Sequence, residues 1–236
     1  MTAPTAKTYD SISLNERSFS PPGGAGVARR AVQKKDVETL VKDQDLITRR
    51  HEQICDAALK LFTRKGFHQT SVREIATACR LPIGTLYTYI KTKEDILYLI
   101  YRRIFSIFQE RMLEATNGIE DASRRLKAAL EATLKIYDEF QDVVLLLYQE
   151  SHALSRHAVR SLVEVDRSYV SFFREILEKG NRQGQFTVKD PNLIAISVLF
   201  LCAVWPLKRW NLREYQVPEV AEHLENLIMN GIASRG

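Results

Sequence analysis

Between Thr70 and Lys93 the chain gathers side chains suited to holding a nucleic acid rather than transforming a substrate. Ser71 and Thr70 stand where a helix begins, a place where free backbone N–H groups and the helix dipole favour a phosphate. Ile83 and Thr85 open a second short helix. A threonine methyl or hydroxyl there can meet a thymine methyl or a base acceptor. Gly84 between them permits close backbone approach. Tyr87 and Tyr89 carry hydroxyls that can donate to phosphate oxygens. Arg73, Thr88 and Lys93 complete the candidate DNA-binding set.

Catalytic constellations are missing from the pattern. The five histidines (His51, His68, His152, His157, His223) show no His-Glu-x-x-His or His-x-His spacing, and there is no Gly-x-Ser-x-Gly elbow or Gly-rich nucleotide loop. Glu150 near His152 is the nearest thing to an acid–base pair. The expectation is therefore no enzyme, no cofactor and no metal site. Cys55, Cys79 and Cys202 have no ligand spacing and read as buried thiols; Cys79, beside a turn, is the one position where a redox response could be imagined.

The elements that must position these residues follow from caps and periodicity. Ser71-Val-Arg-Glu74 is a capping box, after which Val72, Ile75, Ala76 and Cys79 share a helical face. Pro82 suits the first turn of the next helix, which spans Ile83 to Ile90. Thr92 and Asp95 form another capping box and open a long helix to Thr116, about 35 Å at ~1.5 Å per residue. Two short helices joined by a tight turn form a helix-turn-helix, whose second helix enters a major groove. Ahead of them, Thr48 is a plausible cap for a bracing helix with Ile54, Ala57, Ala58, Leu61 and Phe62 inward and Gly66 closing it.

Phe67-His68-Gln69-Thr70-Ser71, Ile75-Ala76, Gly84 through Ile90 and Lys93-Glu94 together resemble the DNA-binding domain of TetR-type (tetracycline-repressor-like) transcriptional regulators. The resemblance covers Thr48 to Arg103. It implies phosphate contacts from Tyr87 and Tyr89, and a phosphate-neutralising role for Lys93. One position departs from the family pattern. Arg80 stands where glycine is usual, at a turn that takes left-handed backbone, which costs a non-glycine residue about 1 kcal/mol.

Charge supports the same division. Of the formal +5, Thr48–Arg103 holds eleven Lys/Arg against five Asp/Glu, residues 1–47 hold seven against six, and residues 104–236 sixteen against eighteen. The surplus sits in the segment expected to face phosphates. No run of 18 or more apolar residues suggests a membrane span, and no signal peptide is legible, so a cytoplasmic protein is expected.

The fold expectation is all-α: an N-terminal helix-turn-helix head of three helices and a larger helical body. Residues 1–46 form an extension, disordered to about residue 26 and then partly helical from Val27 to Leu46. Residues 47–92 form the head and 93–236 the effector-binding and dimerisation body. Within the body, the segment around Val143–Tyr148 is apolar on all sides and expected to be central.

The resemblance further implies a homodimer on operator double-stranded DNA, regulated by a small-molecule effector. Tyr148, Gln149, His152, Tyr169, Phe172, Phe173, Trp205 and Trp210 are the candidate pocket residues. Gln149-Glu150-Ser151 with the two tryptophans resembles members that sense acyl-CoA thioesters. Arg156, Arg160, Lys208, Arg209 and Arg213 could then supply cations for the CoA phosphates. A DNA-binding repressor or architectural protein without an effector is the alternative.

Overall fold

The computed structural model describes residue 37 and residues 39–154 and 156–232; the expected helix from Val27 lies mostly outside them. All regular secondary structure among the described residues is helical. α1 is Gln44–Lys65, α2 Val72–Ala78, α3 Ile83–Leu86, α4 Lys93–Thr116, α5 Ala122–Glu139, α6 Gln141–Glu150, α7 Arg156–Arg182, α8 Pro191–Leu207 and α9 Val217–Ile232. A single 3-10 turn, Ser151–Ala153, follows α6. No helix among them is long and apolar enough to cross a membrane.

The start of α1 differs from expectation. Asp43 is the cap, accepting from the Leu46 amide, while the Thr48 hydroxyl donates to the Gln44 carbonyl from inside the helix. A carboxylate at the N-terminus has the helix dipole in its favour. Ahead of it, the described residues 37 and 39–43 lie outside any helix. Val37 is buried, Leu40 is exposed, and the Leu40 amide and Thr39 hydroxyl both donate to the Thr88 carbonyl. The strap therefore ties down the end of the recognition segment.

Caps elsewhere fall where the residues put them. Both capping boxes form, Ser71 with Glu74 and Thr92 with Asp95. Asp190 caps α8 with Pro191 in its first turn. α7 runs past Gly180 to Arg182, and a Cβ on Gly180 would lie 1.9 Å from the Phe186 ring. That glycine is required by close packing, not by helix termination.

The centre of the body is α5, not α6. α5 packs against α4, α6, α7, α8 and α9 and buries Leu126, Ala129, Leu130, Thr133, Leu134, Ile136 and Tyr137. The apolar run in α6 is shared instead between the core, where Val143 and Val144 are buried, and a packing contact with α1 of the head. α4 bridges the two parts. It packs on α1 at its start and on α5 and α7 further along, and Arg103 pairs with Asp56 of α1.

Candidate functional site: a DNA-facing head and a cavity in the body

The turn between α2 and α3 is built around Arg80. Its φ is 55°, the left-handed region. The Leu81 amide donates to the Ala76 carbonyl at 2.9 Å and the Arg80 amide to the Thr77 carbonyl at 3.0 Å, the two bonds of a Schellman ending. Arg80 thus preserves the turn despite its Cβ. The Gln53 amide side chain donates to the Cys79 carbonyl at 2.7 Å and holds the turn against α1.

α3 is shorter than expected. It spans Ile83–Leu86 with Pro82 just before it, and hydrogen-bonded turns carry the chain on to Ile90. The outward face carries Ile83, 37% exposed, Gly84 and Tyr87, 47% exposed, with Thr85 half-buried beside them. Ser71 and Arg73 of the α2 start are also exposed. Nothing lies within 4 Å of a Cβ built on Gly84, and its φ is ordinary. No contact inside the protein asks for glycine there.

Four candidate DNA contacts also have partners or burial inside the head. Thr70 is buried and its hydroxyl donates to the Gly66 carbonyl at 2.8 Å. Tyr89 is buried in the head core. The Thr88 hydroxyl turns back to the Thr85 carbonyl at 2.7 Å. Lys93 donates to the carbonyls of Phe67 at 2.7 Å, Thr70 at 3.1 Å and, more weakly, His68 at 3.4 Å, with its ammonium 4.3 Å from the Phe67 ring centroid. Its three donors are spent on the loop between α1 and α2. These internal contacts help shape the face that carries Ile83, Gly84 and Tyr87.

Glu74 is tied by Lys65 and by the Ser71 hydroxyl and amide, which hold its carboxyl down at about 2. Burial pushes Cys55 to about 12, Cys79 to about 11 and Cys202 to about 12, which disfavours the thiolate form at all three.

Behind the head, a cavity of about 910 Å³ opens between α4, α5, α6, α7 and α8. It is open to solvent on the side where Tyr148, His152, Ile196 and Phe200 are exposed. Its apolar lining includes Ile104, Phe105, Phe108, Val144, Leu147, Val170 and Leu199, and it reaches Ile196 and Phe200 of α8. Tyr169 lines it with a buried hydroxyl that has no hydrogen-bond partner. Asp166 lines it too, its carboxyl raised above the usual range by burial, and so do Arg167 and Arg174. The Arg174 Nε is buried, with only a 3.6 Å ion pair to Glu178, too long for a hydrogen bond.

Of the expected pocket residues, Tyr148, His152 and Tyr169 line this cavity. Phe173 is fully buried core, Phe172 packs edge-on against it, Gln149 is exposed, and Trp210 is exposed beneath Lys208. Trp205 is buried, donating to Asp138 at 3.1 Å. Of the expected cations, Arg160, Lys208, Arg209 and Arg213 do not line the cavity, and Arg209 pairs with Asp142; the Arg156 side chain lies outside the described ones. The residues missed, Asp166, Arg167 and Arg174, sit in phase with Val159, Val163 and Val170 along one face of α7. A carboxylate in register with an apolar stripe was the available signal.

The fold also joins what sequence spacing separated. His68 of the α1–α2 loop lies beside Glu150 and His152 at the end of α6.

Comparison with known proteins follows the same division. Residues 54–98 match "Bacterial regulatory proteins, tetR family" and residues 120–232 match "Tetracyclin repressor-like, C-terminal domain". The chain belongs to the TetR family of transcriptional regulators. Among its relatives, HTH-type transcriptional regulator HbdR of Aromatoleum sp. (strain CIB) is 26% identical over 180 residues, 75% of this chain and 77% of that protein. The fatty acid metabolism regulator protein of Bacillus subtilis (strain 168) is 23% identical over 188 residues, 79% of this chain and 97% of that one. A tetR-family regulatory protein from Rhodococcus RHA1 shares the fold with a TM-score of 0.71 at 23% identity, over 79% of this chain and 98% of that one. AibR in complex with isovaleryl coenzyme A and operator DNA does so at 0.66 and 24%, over 75% and 97%. TetR-family members are regulators and not enzymes.

Proposed function

We propose that this TetR-family regulator is a homodimeric repressor released from its operator by an acyl-CoA thioester. The observation that carries the effector class is the cavity: about 910 Å³, walled by apolar side chains, with the unpartnered Tyr169 hydroxyl inside it and Arg167 and Arg174 on its lining. An acyl chain fills the apolar part, Tyr169 donates to the thioester carbonyl, and the two arginines meet phosphate. The relatives named for fatty acid metabolism and for isovaleryl coenzyme A support the same class.

Dimerisation is supported by an apolar stripe on α8. Leu193, Ile196 and Phe200 recur at helical spacing and are all exposed, Phe200 by 60%, with Leu227 exposed on the neighbouring α9. A contiguous apolar stripe of this kind is a surface for a partner. Paired in this way, two copies set their recognition segments in successive major grooves about 34–36 Å apart.

α4 transmits the signal. Its Tyr101, Ile104, Phe105 and Phe108 line the cavity, and its first residue, Lys93, grips the head. Effector binds the conformation in which α4 is displaced and so shifts the population away from the DNA-competent spacing. The cavity favours this reading over the alternative, a repressor with no effector.

The test is fluorescence anisotropy at fixed salt on DNA upstream of the protein's own gene, with and without acyl-CoA thioesters of graded chain length. Tight binding reversed by a thioester is expected. Binding that no thioester alters rejects the effector class, and a monomer at micromolar concentration rejects the dimer.

A further inference from the structure

We propose that His68, Glu150 and His152 form a binding site for a divalent transition-metal cation, and that the bound ion clasps the DNA-binding head to the body. The Nε2 of His68 lies 3.0 Å from Glu150 Oε2, and the three residues offer ligand atoms all within 4.8 Å of one another. Two imidazoles and a carboxylate are a donor set for zinc and its neighbours, not for magnesium or calcium, which prefer oxygen throughout. In a tetrahedral zinc site with bonds of about 2.0–2.1 Å, ligand atoms stand roughly 3.3 Å apart. His68 and Glu150 already meet that spacing, and His152 needs a small side-chain movement to join them.

The Glu150 oxygen is the telling atom. Its side chain is only 14% exposed, and Oε2 is buried without a hydrogen-bond partner, although His68 stands at ion-pair distance. The pair has contact distance without hydrogen-bond alignment. A buried carboxylate oxygen left that way costs free energy, and a cation between the two groups removes the cost. His68 is 68% exposed, so the site has an entry path, and water completes the coordination.

Position makes the site regulatory. His68 belongs to the loop between α1 and α2 whose carbonyls Lys93 holds, one side of the DNA-facing surface. Glu150 ends α6, and His152 lies in the 3-10 turn and lines the cavity. An ion held by all three fixes the head against the wall of the effector cavity.

The test uses the full chain, stripped with a chelator and dialysed. It is titrated with Co²⁺, followed by visible d–d absorption, and with Zn²⁺ by calorimetry. One ion per chain is expected, with the d–d bands of tetrahedral Co²⁺. The affinity falls at least about tenfold in His68→Ala and in His152→Ala and is unchanged in His223→Ala. Operator affinity then shifts about fivefold or more on adding Zn²⁺ to wild type and not to His68→Ala. Uptake no greater than in the His68→Ala/His152→Ala double variant overturns the site, leaving His68 and Glu150 as a plain ion pair. Uptake with no change in operator affinity overturns the clasp. The metal count needs neither effector nor operator, so its failure is distinct from failure of the acyl-CoA reading.

Discussion

Lys93 Nζ donates to the Phe67 carbonyl at 2.7 Å, which ties the first residue of the long α4 to the loop between the first two helices of the head. Any movement of α4 is therefore felt at the start of α2, where Ser71 and Arg73 face outward. Hydrogen bonds to a charged donor contribute about 1.5–3 kcal/mol. Lys93→Met keeps the aliphatic stem and removes the charge. It should lower head stability by about 1–2 kcal/mol in a urea melt and weaken binding to all DNA sequences together.

Arg80 pays a backbone cost that glycine would not, since its φ is 55°. Arg80→Gly should raise unfolding free energy by up to about 1 kcal/mol, less whatever the more flexible unfolded chain takes back. A clear loss of stability would mean that the Arg80 side chain makes a contact worth more than the strain.

Gly84→Ala separates folding from binding. The added Cβ meets nothing within 4 Å, and alanine in a helix is favoured over glycine by about 1 kcal/mol, so thermal stability should hold or rise. Operator affinity, by anisotropy, should fall at the same time. Unchanged affinity would place Gly84 away from the DNA.

The head should lose stability in acid through Glu74. Its carboxyl titrates at about 2 when folded against an ordinary 4.5, held there first by Lys65 and then by Ser71. A depressed folded value adds stability above pH 4.5 that is lost as pH falls towards about 2. Glu74→Gln should flatten the pH dependence of the denaturation midpoint over that window. Identical slopes in wild type and variant would remove Glu74 as the cause.

Tyr169→Phe deletes one buried hydroxyl that has no partner in the protein. Stability should be unchanged or slightly higher, because no internal hydrogen bond is lost. Affinity for the thioester should fall by about 1 kcal/mol, roughly fivefold, by calorimetry.

The sequence by itself determined that the chain is built of helices and where several of their caps fall. Ser71 with Glu74, Thr92 with Asp95, and Asp190 with Pro191 act within a single turn, so local chemistry is sufficient. It also carried the family resemblance and the inward face of α5, because a 3.6-residue period shows which residues share a side. Only the tertiary structure decided what each side meets. Tyr87 and Tyr89 are alike in sequence, yet Tyr87 is exposed and Tyr89 is buried. Lys93 and Thr70, candidates for phosphate, turn to carbonyls within the head. The cavity exists because α4, α6, α7 and α8 leave space where their faces converge, and His68 reaches Glu150 because α6 packs on the head. Those relations depend on pairing surfaces far apart along the chain, and no local periodicity encodes which pairs will touch.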